Sequence, residues 1–217
     1  LYHHTQVWKE PSLSLVNMSP LSFGIGKASG TQFDPAIFYC NLLQFYWHWT
    51  DGKDFDLRAE FIRPTQLAGQ VVGTDKLPQI VDGGGSITYM KWGGDNVNDT
   101  EGYEGIYIDV EAVKNVPGGL ANNVIELDLR GSWYAEVGTN PVFVRASGYD
   151  GGTMTLERDT PNVPGYGFIN TGYATSFTNY KEDLGTIVTS VDRESTGQRL
   201  ARAVIDLNTY QITFFQN

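Results

Sequence analysis

Short apolar runs, separated by glycine, proline, asparagine and aspartate, recur along this chain and constrain its fold more than any other feature. In residues 124–129, apolar side chains alternate with Glu126 and Asp128. Residues 200–207 and 210–215 are two further runs that flank a two-residue polar break. Alternation with a period of two is typical of half-buried β-strands, and a short polar break between two such runs predicts a hairpin.

The spacing of these runs predicts an all-β fold. We expect a two-sheet β-sandwich of about ten mostly antiparallel strands with long loops, because short strands with turn residues between them are typical of sandwiches. Charged residues make up only 18% of the chain and 25 of its 217 residues are glycine, which favours strands and tight turns over long helices. Residues 142–146 and 154–158 are expected to pair as a hairpin with its turn at residues 149–152.

The sequence predicts one domain preceded by an arm. Residues 37–217 contain no linker, and with 41% hydrophobic residues the chain can build a substantial core, so we expect a single β-sandwich domain there. Residues 1–36 carry Pro11, Pro20 and Pro35, which interrupt any long strand or helix. We therefore expect an extended N-terminal arm that packs on a neighbouring subunit, because it cannot bury much of its own apolar surface.

A loop rich in acidic and amide side chains lies between two predicted strands, at residues 87–92 and 106–110. Its oxygen-bearing side chains are Asp95, Asn96, Asn98, Asp99, Glu101 and Glu104. Hard cations such as Ca²⁺ take about six to eight oxygen ligands from carboxylates, amides, carbonyls and water. The loop is therefore a candidate calcium site. The alternative is a solvated turn, because Asp, Asn and Gly favour turns for conformational reasons alone.

A second acidic element follows the apolar run at residues 42–49. Asp54 and Asp56 are two residues apart, so in an extended segment both carboxylates point the same way. Two like charges on one face repel each other unless a cation or a base lies between them. A metal ion would meet this need, and so would Arg58, the next residue on that face.

The two acidic elements together resemble the TerD family of tellurium-resistance and stress proteins. That family joins an aspartate-rich DFDL element to a later GDN…E-x-I-x-V-D-L element, and both elements bind calcium. Here residues 54–57 read Asp-Phe-Asp-Leu and match the first element. Residues 94–96 read Gly-Asp-Asn, and residues 104–110 read Glu-Gly-Ile-Tyr-Ile-Asp-Val, which is similar to the second. Residues 124–129 look like the family's next core strand.

The resemblance covers residues 42–150 and has two departures. Arg58 stands where the family usually has another aspartate, and residues 97–103 lack the family's usual Gly and Asp-Asp arrangement. The resemblance implies a β-sandwich that binds Ca²⁺ and is not an enzyme. The candidate metal ligands are Asp54, Asp56, Asp95, Asn96, Asp99 and Glu104.

Other features also argue against an enzyme. A Ser-His-Asp triad needs a histidine base, and the three histidines are His3, His4 and His48. The first two lie in the arm, and the third lies between two tryptophans, where we expect it to pack. The single cysteine, Cys40, excludes an intramolecular disulfide, and the three histidines do not make a zinc spacing motif with it.

The charge and hydropathy of the chain restrict its partners and leave its compartment open. A formal net charge of −10 argues against a nucleic-acid partner, because phosphate binding needs a basic surface. No apolar run approaches the roughly 20 residues that span a bilayer. The chain starts at Leu1, so we expect a processed or truncated form. It would be cytoplasmic if it is TerD-like, and part of a virion or extracellular if it is an assembly subunit.

Two further functions stay open from the sequence. One is a structural subunit of a virion or filament, which would use the same sandwich as a building block and self-associate through the N-terminal arm. The other is a carbohydrate-binding module, in which tryptophans stack on sugars. Strand alternation favours core packing for most of the tryptophans; those in question are Trp47, Trp49, Trp92 and Trp133.

Overall fold

Two antiparallel β-sheets make up most of the structure. The computed structural model of the chain describes residues 36–37, 41–50, 52–95, 102–151, 178–180, 185–189 and 197–216. Thirteen strands lie in these residues: β1 (Ala36–Ile37), β2 (Leu42–Trp49), β3 (Phe55–Arg63), β4 (Val71–Gly73), β5 (Gln79–Val81), β6 (Thr88–Trp92), β7 (Gly102–Asp109), β8 (Val124–Trp133), β9 (Val142–Gly151), β10 (Thr178–Tyr180), β11 (Gly185–Thr189), β12 (Gln198–Asp206) and β13 (Gln211–Gln216). One short α-helix, α1 (Val110–Lys114), follows β7, and a 3-10 turn (Ala121–Asn123) precedes β8.

The strands form a sandwich, as the sequence predicts. Sheet A has the order β1-β13-β12-β8-β3-β4, and sheet B has the order β10-β9-β2-β7-β6-β5, with β11 also paired to β9. Neighbours along the chain frequently belong to different sheets, so the core is closed by connections that cross between them. Among the described residues no helix is long and apolar enough to cross a membrane.

The core lies between the two sheets and is built from alternate residues of the central strands. In β2 and β7 these are Phe45, Trp47, Ile106 and Ile108, and in β3 and β8 they include Leu57, Ala59, Phe61, Leu127 and Leu129; all are fully buried. Each large apolar side chain buried in this way contributes about 1.5–3 kcal/mol of transfer free energy. The alternation fixes the register, because a shift by one residue would turn every core side chain outward.

An aromatic group fixes the end of the sandwich where β3 begins. The ring of Phe55 lies 4.9 Å from that of Trp133, edge-on, and 5.6 Å from that of Trp49. A Cβ atom on Gly131 would lie only 2.3 Å from the Phe55 ring, so glycine is required there. The indole N–H of Trp49 donates to the carbonyl of Lys53, which ties down the backbone just before β3.

Several predicted elements are confirmed and others need correction. The C-terminal hairpin is confirmed as β12 and β13, with Asp206 opposite Gln211. The turn predicted at residues 149–152 is wrong at its first three residues, because β9 continues to Gly151, and residue 152 lies outside the described residues. There Tyr149 pairs with Leu42 on one side and with Tyr180 on the other, and these ladder bonds outweigh the turn tendency of Gly and Asp. Residues 154–158 lie outside the described residues.

The predicted strand at residues 106–110 ends one residue early. Asp109 Oδ1 accepts a hydrogen bond of 2.8 Å from the Ala112 N–H, and α1 begins at Val110. Aspartate is a favoured residue at this position, because its side chain satisfies an N–H that the helix leaves unpaired. Val110 stays buried, now on the helix.

The domain organisation stays a prediction. Residues 1–35 lie outside the described residues, so the structure gives no account of the arm. The two residues that follow, Ala36 and Ile37, pair with Ile212 and Gln211 at the edge of sheet A. The last residue assigned to the arm therefore lies in the sheet.

Candidate metal centre

Three aspartates from two separate segments meet at the end of the sandwich where β3 begins. Asp54 precedes β3, Asp56 is its second residue, and Asp95 follows β6. One carboxylate oxygen of each lies within 4.8 Å of the others. This spacing is close enough for one cation to contact all three carboxylates.

Glycines after β6 bring Asp95 to this position. The Gly93 N–H donates to the Gly105 carbonyl at 2.8 Å, which extends the pairing of β6 with β7. Gly94 has φ 108°, a conformation open to glycine and strained for other residues. The chain then turns and places Asp95 against β3, where the side chain is only 7% exposed.

Glu104 joins the cluster from the inner face of sheet B. It is fully buried, and it shares the core side of β7 with Ile106 and Ile108. Its Oε2 accepts a hydrogen bond of 3.3 Å from the backbone N–H of Leu57 in sheet A. Leu57 lies just outside the β3–β4 ladder, whose first pair is Arg58 with Gly73. Glu104 therefore satisfies a buried backbone donor that the short strand β4 does not reach.

Asp95 also forms a side-chain hydrogen bond with Glu104. Two ionised carboxylates are both acceptors, so this bond requires that one of the two groups carries a proton. The other oxygen of Asp95, Oδ1, is buried and has no hydrogen-bond partner among the described residues. A buried polar oxygen without a partner is uncommon and calls for an explanation such as an ion.

The environment of the cluster disfavours negative charge. Burial raises the pKa of Asp56 from 3.8 to about 6, and the charges of Asp95 and Asp75 add to this, while the Thr74 hydroxyl and Arg58 oppose it. Burial also raises the pKa of Asp95, and the Asp75 charge adds to it, while the hydrogen bond with Glu104 opposes it. Burial is therefore the main reason that the ionised form of both carboxyls is disfavoured.

Arg58 lies beside the cluster and is only 4% exposed. Its Nε donates to the Thr74 carbonyl at 3.0 Å, and its Nη1 donates to Ser132 Oγ at 3.1 Å. Its Nη2 lies 3.8 Å from Asp75 Oδ2. Arg58 therefore acts on Asp56 through its charge, while these hydrogen bonds hold its guanidinium against Thr74 and Ser132.

The structure places four of the six predicted ligands together. Asp54, Asp56 and Asp95 form the triad, and Glu104 contacts it through Asp95. Asn96 and Asp99 lie outside the described residues.

Sequence reasoning missed Thr74 and Asp75, which lie in the turn between β4 and β5. A usable signal was Gly73 immediately before them. A Cβ atom there would lie 2.2 Å from the Leu57 carbonyl oxygen, so glycine marks a close approach of this turn to β3.

The aromatic residues considered for sugar stacking are mostly in the core. Trp47, Trp49 and Trp133 are buried between the sheets, and Trp92 is partly buried against them. Core packing is therefore the role of the first three, as the alternation predicts. His48 is half-buried, with its ring 6.0 Å from that of Phe143.

Comparison of the chain with models of known protein families, with curated proteins and with solved structures finds no match.

Proposed function

We propose that this chain is a calcium-binding β-sandwich domain without enzymatic activity, in which the ion ties the start of β3 to the β6–β7 connection. The observation that carries this proposal is the buried Oδ1 of Asp95, which has no hydrogen-bond partner among the described residues. This carboxylate lies in a group of three that one cation could contact. A bound cation would satisfy Asp95 Oδ1 and offset the negative charge at the same time.

Charge balance supports a cation at this position. Asp54, Asp56, Asp95 and Glu104 bring four acidic groups together, and Arg58 is the cationic side chain that the structure places beside them. Burying an ionised carboxylate is costly unless it is paired or coordinates a metal. A divalent cation would offset the negative charge of this group, which burial disfavours for Asp56 and Asp95.

The donor set favours calcium over other metals. The candidate ligands are carboxylate oxygens, and the described cluster includes no histidine or cysteine, the ligands typical of zinc sites. Magnesium demands a near-ideal octahedron and keeps several waters, whereas calcium accepts irregular sets of oxygens. A cluster assembled from two sheets and two loops suits the less demanding ion.

The same geometry argues against a hydrolase. Retaining glycosidases hold two carboxyl groups about 5–5.5 Å apart on either side of a sugar, with an open cleft between them. Here three carboxylates lie within 4.8 Å of one another, and Asp56 and Asp95 are buried. This arrangement has room for an ion and none for a sugar ring between the carboxylates.

The resemblance to the TerD family adds support from a separate direction. Its two motifs lie far apart in the sequence, at residues 54–57 and 94–110. Asp54 and Asp56 from the first motif, and Asp95 and Glu104 from the second, are the residues that meet in the structure. The proposal takes account of the departure at Arg58. An arginine in place of an aspartate gives this cluster one ligand fewer than the family's usual pattern.

Calcium binding to the purified chain tests the proposal directly. We expect isothermal titration calorimetry to show saturable Ca²⁺ binding, and chelation to lower the melting temperature. Asp95→Asn should remove most of both effects. Glu111→Gln, which changes an exposed side chain on α1 by the same charge, should keep them and serves as the matched control. Absence of Ca²⁺ binding by the unaltered chain would overturn the proposal.

The assembly hypothesis is compatible with calcium binding and stays a prediction. Its central element, self-association through residues 1–36, depends on residues that are almost all outside the described part of the chain. Size-exclusion chromatography with light scattering distinguishes a monomer from a large particle. Deleting residues 1–35 keeps the strand β1 and should weaken any self-association without lowering the melting temperature.

A further inference from the structure

The turn between β4 and β5 lies against the same edge of β3 as the acidic cluster. The Thr74 N–H donates to the Leu57 carbonyl at 3.1 Å, and Leu57 donates its own N–H to Glu104. The Thr74 carbonyl accepts from Arg58 Nε. Leu57 therefore links this turn to Glu104, a candidate ligand of the ion, by one hydrogen bond to each.

Asp75 occupies the tip of this turn and faces solvent. Its side chain is 84% exposed, and its φ is 58°, in the left-handed region. Its charge raises the pKa of both Asp56 and Asp95, so it lies within electrostatic reach of both buried aspartates. Its ion-pair contact is with Arg58 Nη2 at 3.8 Å, longer than a direct hydrogen bond. A loose, exposed contact of this kind costs little free energy to break.

We propose that Asp75 is a further ligand of the cation, which closes the site on its solvent side and leaves Arg58 when the ion binds. This inference rests on the calcium site proposed above. Asp54, Asp56, Asp95 and Glu104 approach from the protein side, whereas Asp75 is the exposed carboxylate on the adjoining turn. Calcium takes about six to eight oxygens, so the described cluster leaves coordination positions for this carboxylate and for water.

The cluster has an observation that points to a ligand independently of Asp75. Asp95 is more than nine-tenths buried, and its Oδ1 has no hydrogen-bond partner among the described residues. Asp75 is the acidic side chain that a movement of this turn would add to the group. Gly73 limits that movement to the turn itself, because its close approach to the Leu57 carbonyl anchors the base of the turn.

Asp75→Asn is the variant that tests this assignment. Asparagine tolerates positive φ at least as well as aspartate, so the turn should fold unchanged. Glu111→Gln is the control, because it removes one exposed negative charge from α1. That helix follows the far end of β7, which is about 17 Å from Glu104 at the rise of a β-strand. Calorimetric titration with CaCl₂ in 0.1 M and 1 M KCl gives the affinity of each protein.

We expect Asp75→Asn to weaken Ca²⁺ binding by at least about tenfold at both salt concentrations, since even partners outside the coordination shell typically contribute about 10–100-fold. Glu111→Gln should stay within about twofold of the unaltered chain, because charges separated by more than a Debye length of about 10 Å are largely screened. If the loss of Ca²⁺ affinity in Asp75→Asn disappears in 1 M KCl, Asp75 acts on the ion by long-range electrostatics alone, and the ligand assignment is overturned. Equal affinities for Asp75→Asn and the unaltered chain would overturn it as well, while leaving the calcium site itself intact.

Discussion

Two groups of buried carboxylates share strand β3 and its neighbours, yet they are neutralised differently. On the outer face of sheet A, Asp128 is 3% exposed and accepts a hydrogen bond of 2.8 Å from Arg202 Nε. Arg130 and Arg199 lie 3.4 and 3.8 Å from the same carboxylate. At the end of the sandwich, Asp56 and Asp95 are buried almost as deeply, at 5% and 7% exposed, beside one arginine.

On the outer face, the acidic side chains are paired with arginines of the described strands. Glu126 lies 3.0 Å from Arg63 and 3.6 Å from Arg202, and Glu60 lies 3.3 Å from Arg130. The hydrogen bond from Arg202 to Asp128 raises the pKa of the Arg202 guanidinium. Every carboxylate named here has an arginine partner among the described residues, and the one buried atom of this network without a hydrogen-bond partner there is a donor, Arg130 Nε. The acidic cluster instead has one adjacent arginine and a buried carboxylate oxygen, Asp95 Oδ1, without a partner among the described residues. This difference in charge balance is the reason to expect a cation in one place and not in the other.

The largest expected effect is the pH dependence of the metal-free cluster. The folded-state pKa of Asp56 lies above its ordinary value, so its contribution to stability is fully present below pH 3.8 and is lost as the pH rises through about 6. At 1.36 kcal/mol for each tenfold change in proton affinity, this loss amounts to about 3 kcal/mol. Urea unfolding of the unaltered chain and of Asp56→Asn, in chelator from pH 3.5 to 7, measures it. As the pH rises, the unfolding free energy of the unaltered chain should fall by that amount relative to that of Asp56→Asn. A difference that does not change with pH would contradict the raised pKa.

Calcium binding should change the unfolding free energy by slightly less than the pH does. A ligand that binds only the folded state stabilises it by about 2.7 kcal/mol at a hundredfold excess over the dissociation constant. Thermal unfolding at pH 7 with CaCl₂ or with chelator checks this. Asp128→Asn should keep the calcium response, because the network lies outside the site, whereas Asp95→Asn should lose it. Loss of the response in both variants would mean that the two groups of carboxylates are coupled.

Removing one carboxylate from each group should then lower the stability by different amounts. In chelator, Asp128→Asn should lower the unfolding free energy by about 2 kcal/mol, less than the about 3–5 kcal/mol of fully buried pairs, because its arginine partners are about one-third exposed. Asp95→Asn should leave it within about 0.5 kcal/mol, because losing a carboxyl whose ionised form burial disfavours offsets any weakening of the hydrogen bond with Glu104. Denaturant titrations of both variants measure these changes in unfolding free energy. An equal loss in both variants would mean that the two groups of carboxylates do not differ in charge compensation.

The smallest effect is expected at the rim of the network. Glu60 and Arg130 are both partly exposed, so Glu60→Gln should cost about 0.5 kcal/mol. A double-mutant cycle with Asp128→Asn should show coupling, because both carboxylates contact Arg130. Strict additivity would mean that the network is a set of separate pairs.

Local patterns predicted the elements of this fold well where the strands alternate. Residues 124–129 and 200–215 have polar residues on one side and apolar residues on the other, and they form β8, β12 and β13 as expected. The prediction failed at residues 149–151, where two neighbouring strands hold a Gly-containing segment in a sheet. Pairing partners that are distant in sequence decided that segment, and local turn tendencies could not reveal them.

The acidic cluster shows the same division. Oxygen-bearing residues at suitable spacing identified Asp54, Asp56, Asp95 and Glu104 as candidates. Nothing local indicated that Glu104 would satisfy the backbone N–H of Leu57, which lies on a strand of the opposite sheet. Nor could the sequence show that Thr74 and Asp75 would lie beside the cluster.

The sequence by itself determined the chemistry that is available: alternating strands for a sandwich, carboxylates in two short segments, and a net charge of −10. Tertiary structure decided which carboxylates obtained partners. Sheet pairing aligned the outer faces of β3, β8 and β12, so that Asp128 met three arginines. The packing of sheet A on sheet B brought Asp95 and Glu104 to β3, where positive charge is scarce. Burial and distance set the free energy of a charge, and both are properties of the folded chain alone.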